Sequence, residues 1–129
     1  MKIVRRDIGD VTILDLEGKI VMGDDDLHEE IEKLKREDRL KVVLNLASLT
    51  YADSDGFGEI LRAWRNIAGA RQTRGRLKLL RPHGQIRLDP HGQMADVVTM
   101  TKLFTVLETY ENEQGAIASF ADPSHAVDW

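Results

Sequence analysis

Residues 42–58 read VVLNLASLTYADSDGFG and carry the strongest structural signal in the chain. The apolar run over residues 40–46 lacks the alternation of a half-exposed strand, which predicts a central strand buried on both faces. We expect a loop over residues 47–55 and then a helix over about residues 56–70. The apolar residues of that helix recur at helical spacing and should face the core: Phe57, Ile60, Leu61, Trp64, Ile67 and Ala68.

The junction between this strand and this helix carries residues suited to a binding site. In open α/β sheets, ligands bind beyond the carboxyl ends of strands, and the dipole at a helix N-terminus favours negative groups. Ser54 is expected to cap the helix, while Gly56 and Gly58 would allow a tight turn and the close approach of a partner. The same residues also fit a plain helix cap without a binding role.

The sequence before the central strand predicts a hairpin and a helix. Residues 3–6 and 11–16 are β-branched runs separated by turn residues, which indicates two antiparallel strands. Three aspartates, Asp24, Asp25 and Asp26, then precede an amphipathic helix that ends near residues 37–38. Its apolar face is formed by Leu27, Ile31 and Leu34.

The sequence after the central helix predicts two more strands and two more helices. The strands are expected at residues 77–80 and 106–109, with a short helix at residues 94–100 between them. Asn112 is expected to cap the last helix, which carries Ala116, Ile117 and Phe120. Residues 121–129 are expected to form a flexible tail.

These elements give the order ββαβαβαβα, an α/β domain with about four helices. Single helices that connect strands imply parallel pairing, and the opening hairpin adds an antiparallel edge. We therefore expect one domain over residues 1–120, with a mixed and mainly parallel sheet that begins with the N-terminal hairpin.

A short tandem duplication interrupts the second half of the chain. Residues 82–89 and 90–97 both begin with Pro-His-Gly-Gln, and eight residues is too short a period for a solenoid repeat. We place this duplication in a loop, where insertions cost little. Two histidines, His83 and His91, are too few for a zinc site, so no metal is expected.

Composition excludes several classes of function. The 129 residues include 18 Lys and Arg against 22 Asp and Glu, a net charge of −4, and no cysteine. Such a composition disfavours a nucleic-acid or lipid-surface binder, and from the sequence we expect neither a signal peptide nor a membrane span. The sequence predicts a cytoplasmic protein.

Residues 42–58 closely resemble the signature of STAS domains, a family that includes bacterial anti-sigma factor antagonists and a domain of sulfate transporters. The family pattern is an apolar strand, a short loop, and Asp-Ser-Ser/Thr-Gly-Leu-Gly opening a helix. Residues 16–20, 75–80 and 101–106 resemble other family segments in the same order. The resemblance thus covers about residues 3–120 and implies a single STAS-like domain.

The resemblance also implies a function without catalysis or cofactor. In anti-sigma factor antagonists, the Ser or Thr before the glycine is phosphorylated by an anti-sigma factor that is itself a serine kinase. Unphosphorylated antagonist binds this kinase and frees the sigma factor, and the phosphate disrupts that complex. By this resemblance, the partner-binding and regulatory residues are Asp53, Ser54, Asp55, Gly56, Phe57 and Gly58, with Glu59 and Arg62 nearby.

This sequence departs from the family pattern at the phosphoacceptor position. Asp55 stands before Gly56, and a serine kinase cannot phosphorylate a carboxylate. Asp55 either mimics the phosphorylated state in part, or it serves an unregulated contact in which negative charge is favourable. Ser54 remains a less expected phosphoacceptor one position earlier. Phe57 and Trp64 are expected in the core rather than at a contact surface.

Two other functions are compatible with the same residues. The domain could be a STAS regulatory subunit of a stressosome-like or transport complex, where no phosphoacceptor is needed. Alternatively, Asp53 and Asp55 resemble the Asp-x-Asp pair of magnesium-dependent phosphatases, in which one carboxylate is the nucleophile and the other the general acid/base. Two features of the sequence disfavour a phosphatase. Position 57, where these phosphatases have threonine, holds Phe57, and no convincing downstream Lys and Asp-Asp set completes the site.

Overall fold

In the part of the chain that the structure describes, five strands form one sheet, and each strand pairs with the next one along the chain. The computed structural model describes residues 1–21, 23, 25–70, 75–80 and 107–121. The strands are β1 Lys2–Ile8, β2 Val11–Ile20, β3 Lys41–Ala52, β4 Arg76–Leu80 and β5 Thr109–Tyr110. The helices are α1 Asp26–Arg36, α2 Ser54–Ala68 and α3 Glu113–Ser119.

The N-terminal hairpin and the mainly parallel sheet are confirmed. β1 pairs antiparallel with β2, and Gly9 adopts a φ of 62° in the turn, a conformation that glycine reaches without steric cost. β2, β3, β4 and β5 then pair in parallel, as expected for strands joined by crossover connections. The predicted helix at residues 94–100, the duplication at residues 82–97 and residues 122–129 of the tail lie outside the described residues.

The predicted loop over residues 47–55 is wrong, because β3 continues to Ala52. β2 runs beside it as far as Ile20 and supplies the backbone partners that the extra residues need. Leu49 and Ala52 are buried while Ser48 and Thr50 are exposed, so this second half of the strand is polar on one face. The local sequence resembled a loop because its apolar residues are widely spaced.

Two further boundaries differ from the prediction. α2 begins at Ser54 rather than near Gly56, because capping occurs one residue earlier than expected. The last strand was predicted at residues 106–109 but covers Thr109–Tyr110. Leu107 and Glu108 do not belong to it. Asn112 caps α3 as predicted, since its side chain accepts a hydrogen bond from the amide of Gly115.

The core lies on both faces of the sheet. One face packs against α1 and α2, and it contains the larger apolar cluster, including the predicted core residues Leu27, Ile31 and Leu34. The other face packs against α3 through a smaller cluster formed by Val11, Ile13, Val43, Leu80 and Ala116.

One edge of the sheet brings together two strand ends and two helix starts. β2 and β3 run parallel, so their carboxyl ends lie at the same edge, and each is followed along the chain by a helix, α1 or α2.

Candidate functional site

The N-terminus of α2 is capped by Asp53. One oxygen of its carboxylate accepts a hydrogen bond from the amide of Gly56 at 2.7 Å, and its backbone is still extended, with φ −96° and ψ −179°. The prediction that Ser54 is the cap is wrong, because Ser54 is already the first residue of the helix. Asp53 lies at the point where the extended chain of β3 turns, which is the geometry of a capping residue.

Gly56 lies where β2 and α2 come into direct contact. A Cβ atom at this position would be 2.1 Å from the carbonyl oxygen of Ile20, well inside van der Waals contact. The amide of Asp53 also donates to this carbonyl oxygen, at 3.4 Å. The close approach permitted by Gly56 is thus made by the chain's own strand, and it fixes the start of α2 against the end of β2.

Gly58 differs from Gly56, although both belong to α2. A Cβ atom added at Gly58 would meet no atom within 4 Å. Glycine inside a helix costs about 0.5–1 kcal/mol relative to alanine, and no contact in the described part of the chain requires it here. The absence of a side chain leaves the surface open beside Asp55, one helical turn away.

Phe57 and Trp64 occupy the positions predicted for core residues. Phe57 is 1% exposed and packs within the larger apolar cluster. Trp64 is half-buried and packs against the same cluster from its margin. Phe57 therefore anchors the first turn of α2 in the core and presents no surface to a partner.

Asp55 is exposed in the first turn of α2. Its carboxylate forms no hydrogen bond or ion pair with any other residue that the structure describes. Because Asp53 already caps the helix, the charge of Asp55 is left facing solvent near the positive end of the helix dipole. The exposed part of this turn thus presents one accessible negative charge to any approaching molecule.

The neighbouring charges are mostly paired. Glu59 and Arg62 form an ion pair one turn apart on α2. At the end of the adjacent strands, the Lys19 ammonium lies 5.7 Å from the centre of the Tyr51 ring, within the range of a cation–π contact. Within the described residues, no group of three or more His, Asp or Glu side chains is arranged to hold a metal ion.

Among the helices of the described residues, none is both long and apolar enough to cross a membrane.

No protein-family model and no curated protein sequence matches the chain, but solved structures do. An anti-sigma factor antagonist from Mycobacterium paratuberculosis is 15% identical, with a TM-score of 0.70 and coverage of 94% of both chains. A Thermotoga maritima protein assigned as a candidate anti-sigma factor antagonist is 17% identical, with a TM-score of 0.68 and coverage of 93% of this chain and 95% of that one.

The anti-sigma factor antagonist SpoIIAA matches in two states. Its unphosphorylated form is 19% identical with a TM-score of 0.62, covering 92% of this chain and 96% of that one. The phosphorylated form of SpoIIAA from Bacillus is 18% identical with a TM-score of 0.60, covering 92% and 98%. The element order, the mixed sheet and these matches over nearly the whole length agree, and the chain therefore has the STAS fold.

Proposed function

We propose that this chain is a cytoplasmic, non-catalytic protein-binding module that acts as an anti-sigma factor antagonist. Its partner is an anti-sigma factor of the serine-kinase type, and the regulatory segment is the first turn of α2, formed by Asp53, Ser54, Asp55, Gly56, Phe57 and Gly58. Within this segment, Asp55 and Gly58 form the surface that the partner meets, and the buried Gly56 and Phe57 hold the turn in place. The observation that carries this proposal is the exposed carboxylate of Asp55 at the position where the family resemblance places the phosphoacceptor.

Asp55 changes how such a contact would be regulated. A phosphorylated serine carries about −1.5 to −2 charges at neutral pH, whereas an aspartate carries about −1. SpoIIAA has been solved both with and without its phosphate, and both forms are similar to this chain. This supports the idea that a fold of this kind tolerates a negative charge at the regulatory position. In this chain the negative charge is permanent, so partner binding is not switched by phosphorylation at this position.

The local geometry disfavours the magnesium-dependent phosphatase. The Asp53 carboxylate accepts the amide hydrogen bond that caps α2, so its orientation is fixed by the helix. A nucleophilic role would require that carboxylate to leave the cap. Release of phosphate from p-nitrophenyl phosphate in the presence of Mg²⁺, lost in Asp53→Asn, would contradict the non-catalytic proposal.

The proposal is tested by binding and phosphorylation assays with purified kinase-type anti-sigma factors from the source organism, using the natural chain, Asp55→Ser and Asp55→Asn. We expect the natural chain to bind one of these kinases equally with and without ATP. Asp55→Ser should be phosphorylated by that kinase and released when ATP is added. If neither the natural chain nor Asp55→Ser bound any of the kinases, the proposed function would be contradicted.

The same experiment separates the two interpretations of Asp55. If Asp55 mimics the phosphorylated state, Asp55→Ser without ATP binds more tightly than the natural chain. If the charge makes a favourable contact, both Asp55→Ser and Asp55→Asn bind more weakly. Asp55→Asn is the matched control because it removes the charge and keeps the size of the side chain.

A further inference from the structure

β1 forms an open edge of the described sheet. It pairs with β2 on one side, and none of its residues is buried. Apart from the ladder with β2, the backbone groups of β1 form no hydrogen bond with any other residue that the structure describes. β1 has seven residues, whereas β5 at the other end of the described sheet has two. A long open edge offers amide and carbonyl groups to a further strand.

The turn of the hairpin decides which backbone groups of β1 point outward. The turn is a two-residue loop flanked by Ile8 and Val11, which face each other across the ladder. In hairpins of this kind the flanking pair is hydrogen-bonded, and hydrogen-bonded pairs alternate with non-hydrogen-bonded pairs along the strands. The even-numbered residues of β1 therefore bond to β2. The amide and carbonyl groups of the odd-numbered residues point away from the sheet: Ile3, Arg5 and Asp7.

The two arginines of β1 do not block this edge. Charged side chains on an edge strand normally discourage pairing with another chain. Here the Arg5 guanidinium lies 3.0 Å from the Asp7 carboxylate and 2.7 Å from that of Glu37. The Arg6 guanidinium is bound by carboxylates of β2 and α3, which hold it over the sheet and away from the outer edge. Neither arginine therefore presents an unpaired charge to an approaching strand.

β1 also carries an exposed apolar side chain at its end. Ile8 is 40% exposed, which makes it the exposed large apolar residue among those that the structure describes. It lies on the same face of the strand as Val4, which is half-buried, because successive side chains of a strand point to opposite faces. A strand that paired with the outer edge and covered Ile8 would add apolar burial to the backbone hydrogen bonds.

The order of residues in β1 fits a second copy of the same strand. When two copies pair antiparallel about a two-fold axis at position 6, Arg5 of each copy faces Asp7 of the other, and Val4 faces Ile8. The facing Arg5 and Asp7 then exchange their outward backbone hydrogen bonds. Opposite charges and apolar side chains that face each other across strands both stabilise pairing. An axis at position 5 would instead place two copies of Arg5 opposite each other.

Arg6 lies on the two-fold axis of this arrangement. Its two copies face each other as a non-hydrogen-bonded pair. Each guanidinium is already bound, within its own chain, by the carboxylates of Asp15 at 2.9 Å and Glu113 at 2.7 Å. Two carboxylates for each guanidinium leave no excess of positive charge at the axis, so the two copies of Arg6 are compatible with pairing.

We propose that β1 is the interface of a homodimer, in which antiparallel β1 strands join the sheets of two chains into one continuous sheet. A two-fold contact of this kind uses the same surface on both copies, as the self-complementary order of β1 requires. Because the paired segment is short, the buried area is small and the dimer is weak and concentration-dependent. The first turn of α2 contributes no residue to β1, so the dimer and the kinase contact are tested separately.

Sedimentation equilibrium of the natural chain tests whether the dimer forms. We expect the average mass to rise from that of one chain toward that of two between about 1 µM and 1 mM protein. A chain that stays monomeric at about 1 mM would overturn the proposal.

Two charge variants test whether β1 is the interface. Asp7→Lys leaves only positive side chains at positions 5 and 7, and Arg5→Glu leaves only negative ones. Each variant alone should dimerise about tenfold more weakly, because like charges then face each other across the strands. Mixing the two variants should restore a dimer that contains one copy of each, because every facing pair again has opposite charges.

Glu30→Lys and Lys33→Glu are the matched controls. They make the same changes of charge in an ion pair on α1, and both should dimerise as the natural chain does. If Asp7→Lys and Arg5→Glu dimerised as strongly as these controls, the interface would lie elsewhere and the proposal would be wrong.

Disulfide crosslinking tests the register without changing any charge. The chain has no cysteine, so Val4→Cys and Ile8→Cys each introduce a single thiol. Positions 4 and 8 of opposite copies form a non-hydrogen-bonded pair with Cα atoms about 4.5 Å apart, within the reach of a disulfide. With oxidised glutathione, a mixture of the two variants should crosslink much faster than either variant alone. Equal rates would overturn the proposed pairing, and this test remains decisive if a charge variant fails to fold.

Discussion

At the scale of single residues, two glycines of α2 should respond to the same substitution in opposite directions. Gly56→Ala would force a Cβ atom to within 2.1 Å of the Ile20 carbonyl oxygen, and it should lower the free energy of unfolding by about 3 kcal/mol, the upper part of the overpacking range. Gly58→Ala meets open space and should raise it by about 0.5–1 kcal/mol. Urea denaturation of both variants measures the difference.

Each glycine variant is the control for the other, because the substitution and the helix are the same. If Gly56→Ala and Gly58→Ala changed the free energy of unfolding by similar amounts, β2 would have to move away from Gly56, and the contact between Gly56 and Ile20 would not be rigid. If the first turn of α2 is the partner surface, Gly58→Ala should also weaken binding of the kinase while stabilising the free protein. That combination separates a contact role for Gly58 from a folding role.

At the scale of elements, the start of α2 depends on the Asp53 side chain and the start of α1 does not depend on Asp25. Asp53→Ala removes the hydrogen bond to Gly56 and should lower the free energy of unfolding by about 1 kcal/mol, the typical value for a lost cap. Asp25 holds the N-cap position of α1 but makes no side-chain capping hydrogen bond. Asp25→Ala should therefore change stability much less in the same urea titration.

If Asp53→Ala and Asp25→Ala lowered the free energy of unfolding equally, this difference between the two helix starts would be contradicted. Their positions are otherwise comparable, since both helices begin at the carboxyl edge of the sheet. The comparison therefore tests the capping geometry and is insensitive to the general effect of removing a carboxylate from this edge.

At the scale of the whole molecule, charged pairs join β1 to helices on both faces of the sheet. Arg5 pairs with Glu37, next to α1, and Arg6 pairs with Glu113 on α3 and with Asp15 on β2. Burial alone would raise the pKa of the Asp15 carboxyl, but hydrogen bonds from Arg6 and Asn45 outweigh burial and hold the pKa below its ordinary value of 3.8.

The lowered pKa of Asp15 predicts how stability depends on pH. A carboxyl whose pKa is lower in the folded state stabilises the fold fully above its unfolded pKa, and this contribution is lost as the pH falls through the folded pKa. The free energy of unfolding should therefore fall below a pH of about 4. Asp15→Asn should show a smaller fall over that range in urea titrations repeated at several pH values.

A fall in stability that is identical in Asp15→Asn and in the natural chain would contradict the assignment to Asp15. Part of the fall should remain in the variant, because hydrogen bonds from Arg5 and Lys41 also lower the pKa values of Asp7 and Asp10. The size of the difference therefore reports on the contacts that Arg6 and Asn45 make with Asp15.

The candidate site was only partly predictable from sequence. The Asp-Ser-Asp-Gly stretch indicated the strand–helix junction at which the candidate site lies, because turn residues between two apolar segments are a local signal. The local sequence did not identify the capping residue, since Asp53 and Ser54 are both good caps and the choice depends on where β3 ends. The burial of Lys78 on β4 gave no signal at all, because a lysine within a strand is normally exposed.

The sequence by itself determined the type and order of the strands and helices that the structure describes, but not all of their bounds, because the spacing of apolar residues records which face of each element is buried. Only the tertiary structure decided that β3 extends to Ala52, that Gly56 packs on Ile20, and that Lys78 lies under α3. Each of these depends on a partner distant in the chain that supplies a hydrogen bond, a steric limit or a compensating charge. Such partners leave no periodic trace in the local sequence.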